Sequence, residues 1–159
     1  MTLRPANYKY YSSEETSLQK IGPIYADIEL LNFHDVILNQ YGKLPDKEIR
    51  RVRKSALVNS GEVELVINEE IKEQLDLPVV EMQTLRLADE TLKQVEMVGP
   101  LEIRLENESA PVRAMVLPGA QQVLMGRITL AGLHLFVDSQ SRQLCRMSSI
   151  PIKQVSLSI

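Results

Sequence analysis

Between positions 49 and 147 the apolar residues return every second position in short runs, and each run stops at a cluster of turn-forming residues. "LEIRLE" is the clearest case. Leu101, Ile103 and Leu105 alternate with Glu102, Arg104 and Glu106, which places the leucines and isoleucine inward and the charged residues outward on a half-buried strand. Comparable runs occur at "IYADIELL" (24–31), "IRRVRKSALV" (49–58), "VELVI" (63–67), "VRAMVL" (112–117), "VLMG" (123–126), "LHLFVD" (133–138) and "RQLCRM" (142–147). A chain of many short strands must close a sheet on itself or stack two sheets, so the expectation is an all-β domain.

One helix interrupts the pattern. Asn68 is a good N-cap, Glu69 and Glu70 stand in the first turn where the helix dipole favours acids, Ile71 and Leu75 share a face, and Pro78 forbids continuation. The expected span is 69–76, with a second helical turn near "ITLAG". The stretch "NFHDVILNQYGKLPDKE" reads as a long connection, with turn signals at Gly42 and Pro45. "QTLRLADETLKQVEMV" reads as a hairpin with Asp89-Glu90 near its tip.

At 159 residues and 44% hydrophobic content the chain suffices for one sizeable core. Residues 23–159 are read as one domain. Residues 1–22 are read as a polar arm carrying Tyr8, Tyr10 and Tyr11. A net charge of −3 gives no electrostatic reason to expect nucleic acid or an anionic membrane as partner. The one basic cluster, Arg50 to Lys54, is read as the solvated face of a strand. No stretch approaches the roughly 18 apolar residues that a spanning helix needs. The single Cys145 excludes an intrachain disulfide and fits a reducing cytoplasm.

The loop "VNSG" carries the chemistry-bearing question. Asn59, Ser60 and Gly61 break two apolar runs, and by themselves form an ordinary turn. In order along the chain, however, stand Leu57-Val58-Asn59-Ser60-Gly61, "NEEIKEQLDLP", "RLADETLKQVEMVGP", "MVLPG" and Leu124-Met125-Gly126. Over roughly residues 24–147 this ordered set resembles a retropepsin-like aspartic protease domain, most closely the small single-domain bacterial and cyanobacterial members. The resemblance implies a closed acid-protease barrel that pairs as a homodimer, each protomer giving one Asp-Ser/Thr-Gly loop to a shared site. It also implies that the hairpin from Leu85 to Met97 is a flap over an extended polypeptide. Leu87, Ala88, Asp89 and Glu90 at its tip then become substrate-binding candidates, with Glu62 beside the catalytic-loop positions Asn59, Ser60 and Gly61.

The chain departs from that family where the chemistry is centred. Asn59 stands at the position of the catalytic aspartate, and a carboxamide neither takes a proton from water at neutral pH nor gives one as an acid. Two readings follow: a pseudoprotease that binds peptide or assembles without cutting, or an active homodimeric protease of which this chain is an Asp-to-Asn disabled form. Glu62 is a second departure, where a small residue is usual. It is expected to intrude on the cleft or turn outward, solvated or salt-bridged. From the resemblance, the Ser60 hydroxyl is expected to bond across the twofold.

Other candidates are weaker. His34 and His134 lack a second ligand at metal-binding spacing, so no metal or cofactor is expected. Ser60, His134 and Asp138 make a hydrolase triad only on paper, because no nucleophile elbow is present. Cys145, Met115 and Met125 read as core, and Gly126 as a point of close backbone packing.

Overall fold

The computed structural model describes residues 23–147, so the expected arm at 1–22 lies outside the described residues, as do residues 148–159. Nine strands are formed: β1 (Tyr25–Asn32), β2 (Arg51–Val58), β3 (Leu65–Ile67), β4 (Val79–Arg86), β5 (Leu92–Leu105), β6 (Glu108–Val116), β7 (Val123–Met125), β8 (Leu135–Asp138) and β9 (Gln143–Arg146). Three short α-helices accompany them: α1 (Phe33–Gln40), α2 (Glu69–Leu75) and α3 (Arg127–Gly132). Seven strands run in the order β1-β2-β7-β3-β6-β5-β4, and β1 also pairs with β5. That second pairing closes six of them into a barrel and leaves β4 attached outside the ring. Strands β8 and β9 form a separate ribbon.

Strand β5 makes the closure through its 14-residue length. Its first half, to Val98, pairs with β4, and its second half, from Leu101, pairs with β1. In the sequence Gly99-Pro100 separates the hairpin ending at Val98 from the run that starts at Leu101, as a boundary between two strands would. It is instead an irregularity within one strand, where the register with β6 shifts between Val98 and Leu101. Proline cannot donate to the ladder, and Gly99 lies at φ +147°, with a side chain there meeting the Val112 carbonyl oxygen at 3.2 Å.

Inside the barrel, Leu30, Leu65, Ile67, Leu101, Ile103 and Met125 are completely buried, and α2 adds Ile71 and Leu75. Each such side chain contributes about 1.5–3 kcal/mol of transfer free energy. Met115 and Cys145 are also buried, as their neighbourhoods led one to expect. A second apolar layer lies apart from this core: Leu85, Val95 and Met97 of the β4–β5 hairpin pack on Val66, Met115 and Leu117.

Three expectations need correction. Residues 33–40 are a helix rather than a connection. Asn32 caps it, its Oδ1 accepting from the Asp35 N–H at 3.0 Å while its Nδ2 donates to the Leu75 carbonyl at 2.8 Å. Glu102, expected outside, is 8% exposed, in the part of β5 that is flanked by β1 at Leu31 and by β6 at Pro111. Its carboxylate is met by the Arg104 guanidinium. Strand β3 begins at Leu65, not Val63, and all three of its residues are buried, since both its faces are covered.

The basic cluster is only partly a solvated face. Arg50 places Nε and Nη2 on the Asp35 carboxylate at 2.8 Å each, and Nη1 on Asp76 at 2.9 Å. Arg51 bonds Glu29 and Asp46. Arg53 and Lys54 are the solvated members.

Candidate functional site

The loop from Asn59 to Glu64 leaves the barrel where β2 and β7 run parallel, with Val58 beside Met125. It stays there through backbone bonds. The Asn59 N–H donates to the Met125 carbonyl at 3.0 Å, the Arg127 N–H to the Glu62 carbonyl at 2.9 Å, and the Ile128 N–H to the Val63 carbonyl at 3.1 Å. Gly126 makes this approach feasible. A β-carbon at that position would lie 2.5 Å from the Glu64 oxygen, 2.6 Å from the Val63 carbonyl carbon and 2.7 Å from the Glu62 oxygen. Close backbone packing, the role expected of Gly126, is what this contact requires.

Within the loop, Asn59 forms a local turn. Its Oδ1 accepts from the Gly61 N–H at 3.0 Å and its carbonyl accepts from the Glu62 N–H at 3.0 Å. Asn59 and Ser60 are half-buried and Gly61 is buried.

Glu62 is not where it was expected. The side chain folds inward and is only 4% exposed, its Oε1 accepting from the Val63 N–H at 3.1 Å. The physical reason lies beyond the turn: the Arg127 and Ile128 N–H groups at the start of α3 hold the Glu62 and Val63 carbonyls at the β7–α3 junction. Burial raises the Glu62 carboxyl above its ordinary pKa, and Glu64 adds to the rise; the Val63 N–H and the Arg127 charge oppose it. A carboxyl so placed holds its proton at higher pH than a solvated glutamic acid.

The β4–β5 hairpin turns at Leu87–Thr91. The Leu87 N–H donates to the Thr91 carbonyl at 2.7 Å and the Glu90 N–H to the Leu87 carbonyl at 2.9 Å. Asp89 accepts from the Thr91 N–H and hydroxyl at 3.0 and 2.6 Å, and these bonds hold its carboxyl below the usual range. Leu87 is buried, whereas Ala88, Asp89 and Glu90 are exposed. The hairpin and the Asn59 loop share a support: Leu124, which packs against the hairpin's apolar layer, pairs with Leu57 two residues before Asn59. Among the described residues, neither Asn59 nor Ser60 makes a hydrogen bond to the tip.

The remaining candidates do not converge on this loop. His134 Nδ1 lies 3.6 Å from Glu108 on the surface, and Asp138 caps the β8–β9 turn through the Gln140 N–H and the Ser141 hydroxyl. No group of three or more His, Cys, Asp or Glu among the described residues could hold a metal ion. An open groove of about 640 Å³ lies elsewhere, over β1, β2 and β5. Asp27, Glu29, Arg53, Lys54, Arg104 and Glu106 line it with balanced charge, which gives it no bias toward anions or cations. No helix among the described residues is long and apolar enough to cross a membrane.

The sequence reading missed the Asp35–Arg50 pair. Asp35 is 4% exposed and accepts three bonds from Arg50, chiefly from its guanidinium, which lower its pKa. This is a structural tie between α1 and the residue that precedes β2, and the usable signal was Asp35 in the first turn after a capping asparagine. No protein-family model matches the chain, and no curated protein matches it.

Proposed function

We propose that this protein is a peptide-binding module on a retropepsin-like scaffold, unable to cleave because Asn59 occupies the position of the catalytic aspartate. The observation that carries the reading is the Asn59-Ser60-Gly61 turn at the end of β2, tied to β7 in a closed barrel that also bears a projecting hairpin. In the family, two such loops meet across a twofold axis and the hairpin covers an extended peptide. The partners proposed are therefore a second copy of the chain and an extended polypeptide. An amide at Asn59 supplies neither the base for water nor the acid for the leaving amine, and each role is worth roughly 10²- to 10⁴-fold in rate.

The buried position of Glu62 favours a second reading beside this one. The side chain is almost fully buried, with Oε1 on the Val63 N–H, and on this reading it leaves the space at Asn59 open to a peptide. A single change at position 59 then separates this chain from an active homodimeric aspartic protease. The test is cleavage of a degenerate peptide library, from mildly acidic to neutral pH, by this chain and by Asn59→Asp, with the oligomeric state of both measured by sedimentation. The expected result is two dimers of which only Asn59→Asp cuts, with the pH dependence of a shared-proton dyad. If Asn59→Asp is folded and dimeric yet cuts nothing, the protease-derived reading fails.

A further inference from the structure

Asn59 combines three features that together describe a reactive amide, and among Asn32, Asn39, Asn59, Asn68 and Asn107 it alone has all three. The first is in the sequence. Of six asparagines, the others are followed by Tyr8, Phe33, Gln40, Glu69 and Glu108, and only Asn59 precedes a small residue, Ser60. A small following side chain leaves the next backbone nitrogen open to the side-chain carbonyl carbon.

The second is the state of the leaving group. Asn32, Asn39 and Asn68 each donate Nδ2 to a backbone carbonyl, at 2.8, 2.9 and 3.2 Å. Among the described residues Nδ2 of Asn59 donates to none, and the Ser60 N–H is likewise without an acceptor. The third is activation of the carbonyl. Oδ1 of Asn59 accepts the Gly61 N–H at 3.0 Å, so a fixed donor faces the oxygen on which negative charge develops if Cγ is attacked.

We propose that Asn59 is a self-modification site that converts to aspartate without any enzyme. The Ser60 backbone nitrogen attacks Asn59 Cγ. A carbon–nitrogen bond forms, the Cγ–Nδ2 bond breaks, and ammonia departs with the proton that Ser60 N gives up, leaving a five-membered cyclic imide. Water then opens the ring. Hydrolysis at Cγ gives aspartate at position 59, and hydrolysis at the main-chain carbonyl gives isoaspartate. The sum is one water consumed and one ammonia released, and the Gly61 N–H stabilises the oxyanion in the first step. Nucleophile and electrophile are covalent neighbours, so the attack is intramolecular, and what the fold adds is the Gly61 N–H held on Oδ1. The consequence for activity rests on the reading given under "Proposed function": there, the conversion puts a carboxylate where the dyad requires one.

The experiment is ageing of the folded chain at physiological temperature and mildly alkaline pH, followed by peptide mass mapping that separates aspartate from isoaspartate. Asn107, exposed and followed by Glu108, is the internal reference, and a free peptide spanning 55–67 reports the rate without the fold. The expected result is conversion at Asn59 ahead of Asn107, faster in the protein than in the peptide, and several-fold slower in Ser60→Val. If Asn59 stays an amide while Asn107 converts, or if the free peptide outruns the folded chain, the proposal is overturned. The peptide and Asn107 comparisons decide the matter even if Ser60→Val does not fold.

Peptide cleavage by the aged chain, set beside Asn59→Asp, separates the two claims. Conversion with no cutting by either protein leaves the modification standing and removes the protease-derived reading. Cutting by Asn59→Asp with no conversion of the native chain does the reverse.

Discussion

Replacing Gly126 by alanine tests how tightly the candidate loop is held. The added methyl carbon would sit within 2.7 Å of three backbone atoms of residues 62–64, and none of these can swing aside as a side-chain tip could. Either β7 or the loop must move, and both are pinned by the bonds from Asn59 to Met125 and from Arg127 to Glu62. Overpacking a filled site costs about 1–3 kcal/mol, and a clash against backbone on all sides belongs at the upper end, about 3 kcal/mol. For a chain of this size that lowers Tm by roughly 10 °C. Gly132 supplies the contrast. Its added carbon would meet only the Ala110 β-carbon at 3.4 Å, an ordinary contact, at the last residue of α3. Gly132→Ala should therefore be neutral or gain about 0.5–1 kcal/mol from helix propensity. Urea unfolding of both variants with a common slope reads the difference directly. Equal midpoints for Gly126→Ala and Gly132→Ala would refute the packing account of this loop.

Glu62→Gln should stabilise the protein at neutral pH. The folded pKa of Glu62 lies above its usual value of 4.5, so its favourable contribution is complete below that pH and is lost as pH rises through the folded value; urea midpoints against pH should be flatter in the variant. Asp35 has the opposite sign. Its folded pKa lies below 3.8, so its contribution is present above that value and lost as pH falls through the folded one. Asp35→Asn should cost about 2 kcal/mol at neutral pH, since it weakens charge-assisted bonds to an arginine that water still reaches. Asn68→Ala should cost about 1 kcal/mol by thermal melting, through loss of the cap on Ile71 N–H, together with the Nδ2 bond to Ala120.

The strands were legible because alternation and turn residues agree along most of the chain. Helix α2 was legible for the same kind of reason, its cap, first-turn acids and Pro78 all pointing one way. The same signals exist at Asn32 and Asp35, but α1 buries few of its residues, Asp35 and Val36 among them, so it shows no apolar stripe to read. Closure of the barrel through β1 and β5 was not legible strand by strand, since pairing depends on partners as far apart as Glu29 and Arg104. At the candidate site, the turn at Asn59-Ser60-Gly61 and the role of Gly126 follow from local chemistry. The inward turn of Glu62 does not, because its direction is set by the α3 N–H groups that capture the Glu62 and Val63 carbonyls.

The most direct test of the account is to map where an extended peptide binds the unmodified chain. Backbone amide shifts recorded during titration with a pool of uncleaved extended peptides should move at Asn59–Glu62 and at Leu87–Glu90 together, with no cleavage products formed. Shifts confined to the charged groove over β1, β2 and β5, or to the outer edge of β4, would contradict the claim that the Asn59 loop and the hairpin form the binding cleft.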